Sequence, residues 1–103
     1  VSIEFTPLGA ADVRIASHEL ARDLGVRVAV TFQRRLRDTL AGLETFPLSG
    51  SPVDPPYPNH PGLRFRPVRR FESRLVFYVP TPTGILLMRV VYSGRDLDAV
   101  FGE

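Results

Sequence analysis

Between Phe46 and Gly62 the chain carries Pro47, Pro52, Pro55, Pro56, Pro58 and Pro61, together with Ser49, Gly50 and Ser51. Proline has no backbone N–H and clashes with the turn before it, so this stretch can hold neither a helix nor a central strand. It divides the sequence into two halves of different period. Before it, apolar residues recur at helical spacing; after it, they form short β-prone runs. The chain beyond the prolines is too short for a second domain. The stretch therefore reads as an ordered surface connection inside one domain, residues 1–103.

In the first half, Val1 to Phe5 alternates like a strand. Thr6-Pro7 is a helix start, with proline suited to the first turn. Val13, Ala16, Leu20 and Leu24 then form the apolar stripe of an amphipathic helix, and Gly25 fits its end. Ala29, Phe32, Leu36, Leu40 and Leu43 keep the same spacing, with Arg34, Arg35, Arg37 and Asp38 mostly off that stripe. Two such helices joined by a short turn make an antiparallel hairpin.

In the second half, Leu63 to Val68 alternates, with Arg64 and Arg66 on one face and Leu63 and Phe65 on the other. Arg74 to Val79 reads as a central strand, Pro80 to Gly84 as a turn, and Ile85 to Tyr92 as a further strand interrupted by Arg89. Gly94 ends that run, and Asp96 to Phe101 is long enough for a short terminal helix. The order β-α-α-β-β-β-(α) predicts an α+β fold, with the helical hairpin on one face of a mainly antiparallel four-stranded sheet. Arg89, inside an apolar strand, is either solvent-facing or paired with a carboxylate. The expectation places it on the sheet face that the helices leave uncovered.

Composition removes several classes of function. With 44% apolar and 23% charged residues, the chain is ordinary for a folded protein. It has no cysteine, so it forms neither disulfides nor thiolate metal sites. The two histidines, His18 and His60, lie far apart, and neither a metal site nor a cofactor is expected. No run is long and apolar enough to span a membrane, and the N-terminus lacks a signal-peptide pattern, so the expected compartment is the cytoplasm. All 13 basic residues are arginine. Codon bias in a GC-rich genome explains that usage; binding of carboxylate or phosphate by the planar guanidinium fork is the functional reading. With no lysine, no lysine general base is available. Arg64, Arg66, Arg69, Arg70 and Arg74 crowd one stretch whose only acid is Glu72. Together with Arg89 and Arg95 they are candidates for an anion- or partner-binding surface, against the plain reading of a solvated charged face.

Residues 62–78 read G-L-R-F-R-P-V-R-R-F-E-S-R-L-V-F-Y, and residues 85–101 read I-L-L-M-R-V-V-Y-S-G-R-D-L-D-A-V-F. The first half adds Asp12, Gly25, Ala29, Phe32, Leu36 and the run Leu43-x-x-Phe46-Pro47-x-x-Gly50. This ordered set resembles the ParE/RelE toxins of type II toxin–antitoxin systems over essentially the whole chain. The resemblance implies a cognate antitoxin with an amphipathic C-terminal segment, received on the sheet face away from the helices. It also implies one of two activities that a shared fold does not separate. RelE-like members cut mRNA in the ribosomal A site, whereas ParE-like members inhibit DNA gyrase.

The residues favour the second branch. Metal-independent RNA cleavage needs a base, an acid and positive charge around the phosphate. Arg64 and Arg66 match the basic pair of the RelE-like enzymes, Arg74 the third-strand arginine and Arg95 the next. The family's C-terminal tyrosine falls on Phe101, which has no proton to give. Tyr92 and His60 are substitute candidates, set against the plainer readings of a strand-end aromatic with its hydroxyl in water and an exposed loop histidine. The expectation is therefore a gyrase-inhibiting toxin neutralised by its antitoxin. The alternatives are a ribosome-dependent endoribonuclease and a decayed toxin that only binds antitoxin.

Overall fold

The computed structural model describes residues 2–102. The elements in chain order are β1 (Ser2–Phe5), α1 (Pro7–Leu24), α2 (Val26–Thr45), β2 (Ser51–Pro52), β3 (Arg64–Val68), β4 (Phe71–Thr81), β5 (Gly84–Tyr92) and α3 (Leu97–Phe101). Val1, expected to open the first strand, lies outside the described residues. Thr6 caps α1, its hydroxyl accepting the Gly9 N–H at 2.9 Å. Gly25, at φ 99°, ends α1 and starts α2, a backbone conformation that favours glycine. No helix is long and apolar enough to cross a membrane among the described residues.

The sheet has five strands in the order β1-β5-β4-β3-β2. The expectation of four strands missed β2, a two-residue strand inside the proline-rich connection that pairs with β3. β1 lies parallel to β5, and the other pairs are antiparallel. The helical hairpin lies between β1 and the rest of the sheet in sequence. It brings the chain back so that the first strand closes against the last.

Each face of the sheet has its own apolar cluster. Phe32, Leu36, Leu40 and Leu43 of α2, with Ala16 of α1, pack on Val76, Tyr78, Ile85, Leu87 and Val90. On the second face Leu63, Phe77, Val91 and Phe101 are buried, with Val53, Tyr57, Leu97 and Val100 packed around them. The expectation of an uncovered second face is corrected here, because the proline-rich connection and α3 lie across it.

Tyr78 ties the connection to the sheet. It is fully buried at 0% exposure. Its hydroxyl donates to the Pro47 carbonyl at 2.6 Å and accepts the Gly50 N–H at 3.0 Å. A Cβ on Gly50 would lie 2.5 Å from that hydroxyl, so the approach requires glycine. Tyr78→Phe leaves both backbone groups without their partner, and a loss of about 1–2 kcal/mol is expected in urea unfolding.

Arg89 has the carboxylate partner that the sequence allowed. The pairing of β4 with β5 shifts between Phe77 and Tyr78: Phe77 opposes Arg89, but Tyr78 opposes Leu87. Met88 is thus the extra residue of a bulge, which re-aims the strand beyond it. Arg89 stands opposite Phe77, on the second face, and reaches α1 at the β5 edge, where its Nε donates to Asp12 at 2.7 Å and its Nη2 at 3.2 Å. The same carboxylate accepts the Val90 N–H at 2.9 Å, and the Thr6 hydroxyl donates to the Met88 carbonyl at 2.7 Å. Where β1 stops at Leu87, these side chains at the start of α1 continue the hydrogen bonding along the β5 edge.

Candidate functional site

The bulge and the α1 docking create a groove of about 260 Å³ lined by Asp12, Ile15, Glu19, Arg74, Arg89, Val90, Val91, Tyr92 and Arg95. α1 supplies the acids from one face, since Asp12 and Glu19 are seven residues apart, two helical turns. β4 and β5 supply Arg74 and Tyr92, which stand opposite each other across the strand pair.

Arg74 is the most enclosed cation of the groove, its side chain 10% exposed. Its guanidinium carbon lies 4.0 Å from the centre of the Tyr92 ring, and its Nη2 donates to the Tyr92 hydroxyl at 2.8 Å. A Glu19 oxygen is 3.7 Å away, within ion-pair range but beyond a good hydrogen bond. Tyr92 is 49% exposed, yet its hydroxyl is held by Arg74 instead of standing free in water. Arg89 is neutralised by Asp12. Arg95 is exposed at the rim, with no acid in ion-pair range among the described residues. The groove thus sums to one excess positive charge, three arginines against two acids, and can hold an anionic group beside Arg95 and Arg74.

The other arginines of the expected cluster lie elsewhere. Arg64 Nη1 donates to the carbonyls of Leu48 at 3.1 Å and Gly50 at 2.7 Å. Arg66 Nη2 donates to the Ser49 carbonyl at 2.7 Å. Both guanidinium groups secure the segment that follows α2. Arg69 and Arg70 form the exposed β3–β4 turn. The structure therefore brings together Arg74, Arg89, Arg95 and Tyr92, and separates them from Arg64, Arg66, Arg69 and Arg70.

Phe101, at 2% exposure, lies in the second-face cluster, with ring centres 5.1 Å from Phe77, 5.8 Å from Tyr57 and 5.3 Å from His60. Arg74 is on the helix-covered face with Val76, so the two positions are on opposite sides of the sheet. The Tyr57 hydroxyl donates to Asp98 at 2.7 Å and fastens the connection to α3. That hydrogen bond holds the Tyr57 phenol above its usual range. His60 Nε2 is buried with no hydrogen-bond partner, and His18 is exposed on α1. No group of three or more ligating side chains could hold a metal ion among the described residues.

Sequence reasoning missed Glu19 and took Asp12 only as a family landmark. The seven-residue spacing of these acids on one helix face was the available signal.

Residues 3–97 match the family model described as the ParE toxin of type II toxin–antitoxin system, parDE. A solved chain of the chromosomal ParDE TA system from P. aeruginosa superposes with a TM-score of 0.70 at 16% identity, covering 89% of this chain and 95% of that one. At this identity the likeness establishes the fold. No curated protein matches.

Proposed function

The chain belongs to the ParE toxin family of type II toxin–antitoxin systems, and from this we propose that it inhibits DNA gyrase by protein–protein contact and is silenced by a cognate antitoxin. The observation that carries the reading is how its arginines are engaged. A metal-independent ribonuclease needs free cations around the phosphate and a proton donor near the leaving oxygen. Arg64 and Arg66 instead donate to the chain's own carbonyls at Leu48, Ser49 and Gly50. Phe101 is buried on the far side of the sheet from Arg74.

A supercoiling assay with purified gyrase checks this: inhibition rising with toxin concentration is expected, and full supercoiling at excess toxin overturns it. This reading puts the protein in the cytoplasm with its target. The rival, cleavage of mRNA on the ribosome, draws support from the contact of Arg74 with Tyr92 beside Arg95. Toeprinting of translated mRNA separates the two, with no A-site cut expected. Expression without antitoxin tests for a decayed toxin, and growth arrest is the expected result.

The covered second face removes the place that the resemblance implied for the antitoxin, and the support is instead a groove of about 380 Å³ lined by Ile3, Phe5, Val13, Leu36 and Leu40, with Gln33 and Arg37. It runs beside β1, the edge strand of the sheet. An extended apolar segment of the antitoxin fits there, adding main-chain hydrogen bonds to that edge.

A further inference from the structure

The β3–β4 turn carries a strained residue. Arg70 has φ 72°, and it is the one non-glycine residue at positive φ among the described residues; Gly25 and Gly62 occupy the others. An L side chain in this region costs on the order of 1 kcal/mol, which glycine avoids. The turn is nonetheless firmly set. The Arg70 N–H donates to the Glu72 carboxylate at 2.8 Å, and the Arg69 N–H donates to the Thr39 hydroxyl at 3.3 Å. Thr39 in turn donates to the Arg35 carbonyl at 2.8 Å, so one hydroxyl joins the backbones of Arg35 on α2 and Arg69 in the turn.

The side chains of Arg69 and Arg70 are exposed, and that of Arg35 is half-buried. None of the three has an acid in ion-pair range among the described residues. The acids of this neighbourhood are Glu72, which binds the turn backbone, and Asp38 on α2; Arg34 on α2 adds a further exposed cation. Val68 pairs with Phe71, so the two-residue hairpin itself sets the positive φ, and what the turn leaves at the surface is a set of cations on a fixed backbone with no ion-pair partner among the described residues.

The chemistry of that partner is set by the surroundings of the arginines. Protein interfaces are built on an apolar, often aromatic, centre. None of the large exposed apolar side chains belongs to residues 34–41 or 66–72, and the nearest in sequence is Val30, one helical turn before Arg34. A phosphate backbone needs no apolar centre, only cations at a rigid surface. Neither segment offers an exposed aromatic ring to stack on unpaired bases, which favours a duplex over a single strand. We propose that Arg35, Arg69 and Arg70, with Arg34, form a contact surface for the phosphate backbone of a double-stranded nucleic acid, separate from the Arg74 groove. The inference rests on these unpaired cations and is independent of the gyrase assignment.

Fluorescence anisotropy of the purified chain tests it. The probes are labelled random-sequence duplexes of about 24 base pairs in DNA and in RNA, and a single strand of the same length, titrated between about 50 and 200 mM salt. Binding to a duplex is expected, with a log–log salt slope of about −3, as three to four neutralised phosphates give. Whichever duplex binds more tightly identifies the nucleic acid. Arg69→Gln with Arg70→Gly is expected to flatten that slope by about 2 and weaken binding at least tenfold. Arg14→Gln with Arg27→Gln, which removes the same charge from other exposed helical positions, is expected to change it far less. Because glycine suits the turn, the first double variant is expected to melt no lower than the parent, so lost binding is not lost fold. The proposal is overturned by absence of duplex binding at low salt, by equal losses in the two double variants, by tighter binding of the single strand, or by a polyglutamate peptide binding more tightly than either duplex.

Discussion

Asp12→Ala is expected to destabilise the fold by about 3 kcal/mol, lowering the melting temperature by roughly 10–20 °C. The carboxylate accepts Arg89 Nε at 2.7 Å, Arg89 Nη2 at 3.2 Å and the Val90 N–H at 2.9 Å. The paired side chains are only 17% and 13% exposed for Arg89 and Asp12. Alanine leaves a guanidinium largely desolvated without its counter-charge, and a strand amide without an acceptor. Such orphaned groups cost more than a paired group gains. Asp12→Asn keeps an acceptor but loses the charge, so about half the loss is expected. The informative comparison is Asp12→Leu combined with Arg89→Met. Replacing both partners by apolar groups removes the uncompensated charge, and the double variant is expected within about 1.5 kcal/mol of the parent. Urea unfolding of the three variants checks the set. A double variant as unstable as Asp12→Ala would mean that the bulge, and not the charge pair, governs this edge.

The sequence made the helical half legible because its signals are local. Thr6-Pro7 and Gly25 mark the ends of α1, and the stripe Phe32, Leu36, Leu40 and Leu43 is buried as its spacing requires. The second face was not legible. Val53 and Tyr57 reach it from a proline-rich segment with no period, so no repeat of apolar residues announces their burial. The bulge at Met88 was hidden for a related reason. Strict alternation assigns Arg89 to one face, and one extra backbone residue changes its direction without leaving a mark in composition. The roles of Arg64 and Arg66 were hidden because their acceptors are main-chain carbonyls, which every residue carries. The site was legible as a list of cations. Which of them are engaged inside the chain depends on long-range packing.

Phe101→Ala is expected to cost about 3–4 kcal/mol and to free α3 from the second face. α3 has five residues, too few to be helical alone, so its position depends on what its side chains bury. Phe101 is the residue of α3 buried to 2%, wedged against Phe77, Tyr57 and His60. Its removal leaves the Tyr57–Asp98 hydrogen bond as an exposed contact of small net value. Faster amide hydrogen exchange in residues 97–101 than in β4 is the expected signature, because the loss is local to this latch. The same position tests the functional reading. Phe101→Tyr restores the hydroxyl that the RNA-cleaving branch carries in its C-terminal segment. That hydroxyl remains among the second-face aromatics, across the sheet from Arg74. Toeprinting with Phe101→Tyr is therefore expected to show no A-site cleavage, and under the proposed reading the variant and the parent act alike in the supercoiling assay. Cleavage gained by this single substitution would mean that Phe101 reaches the Arg74 groove, contrary to the packing of α3, and would move the chain to the ribosome-directed branch.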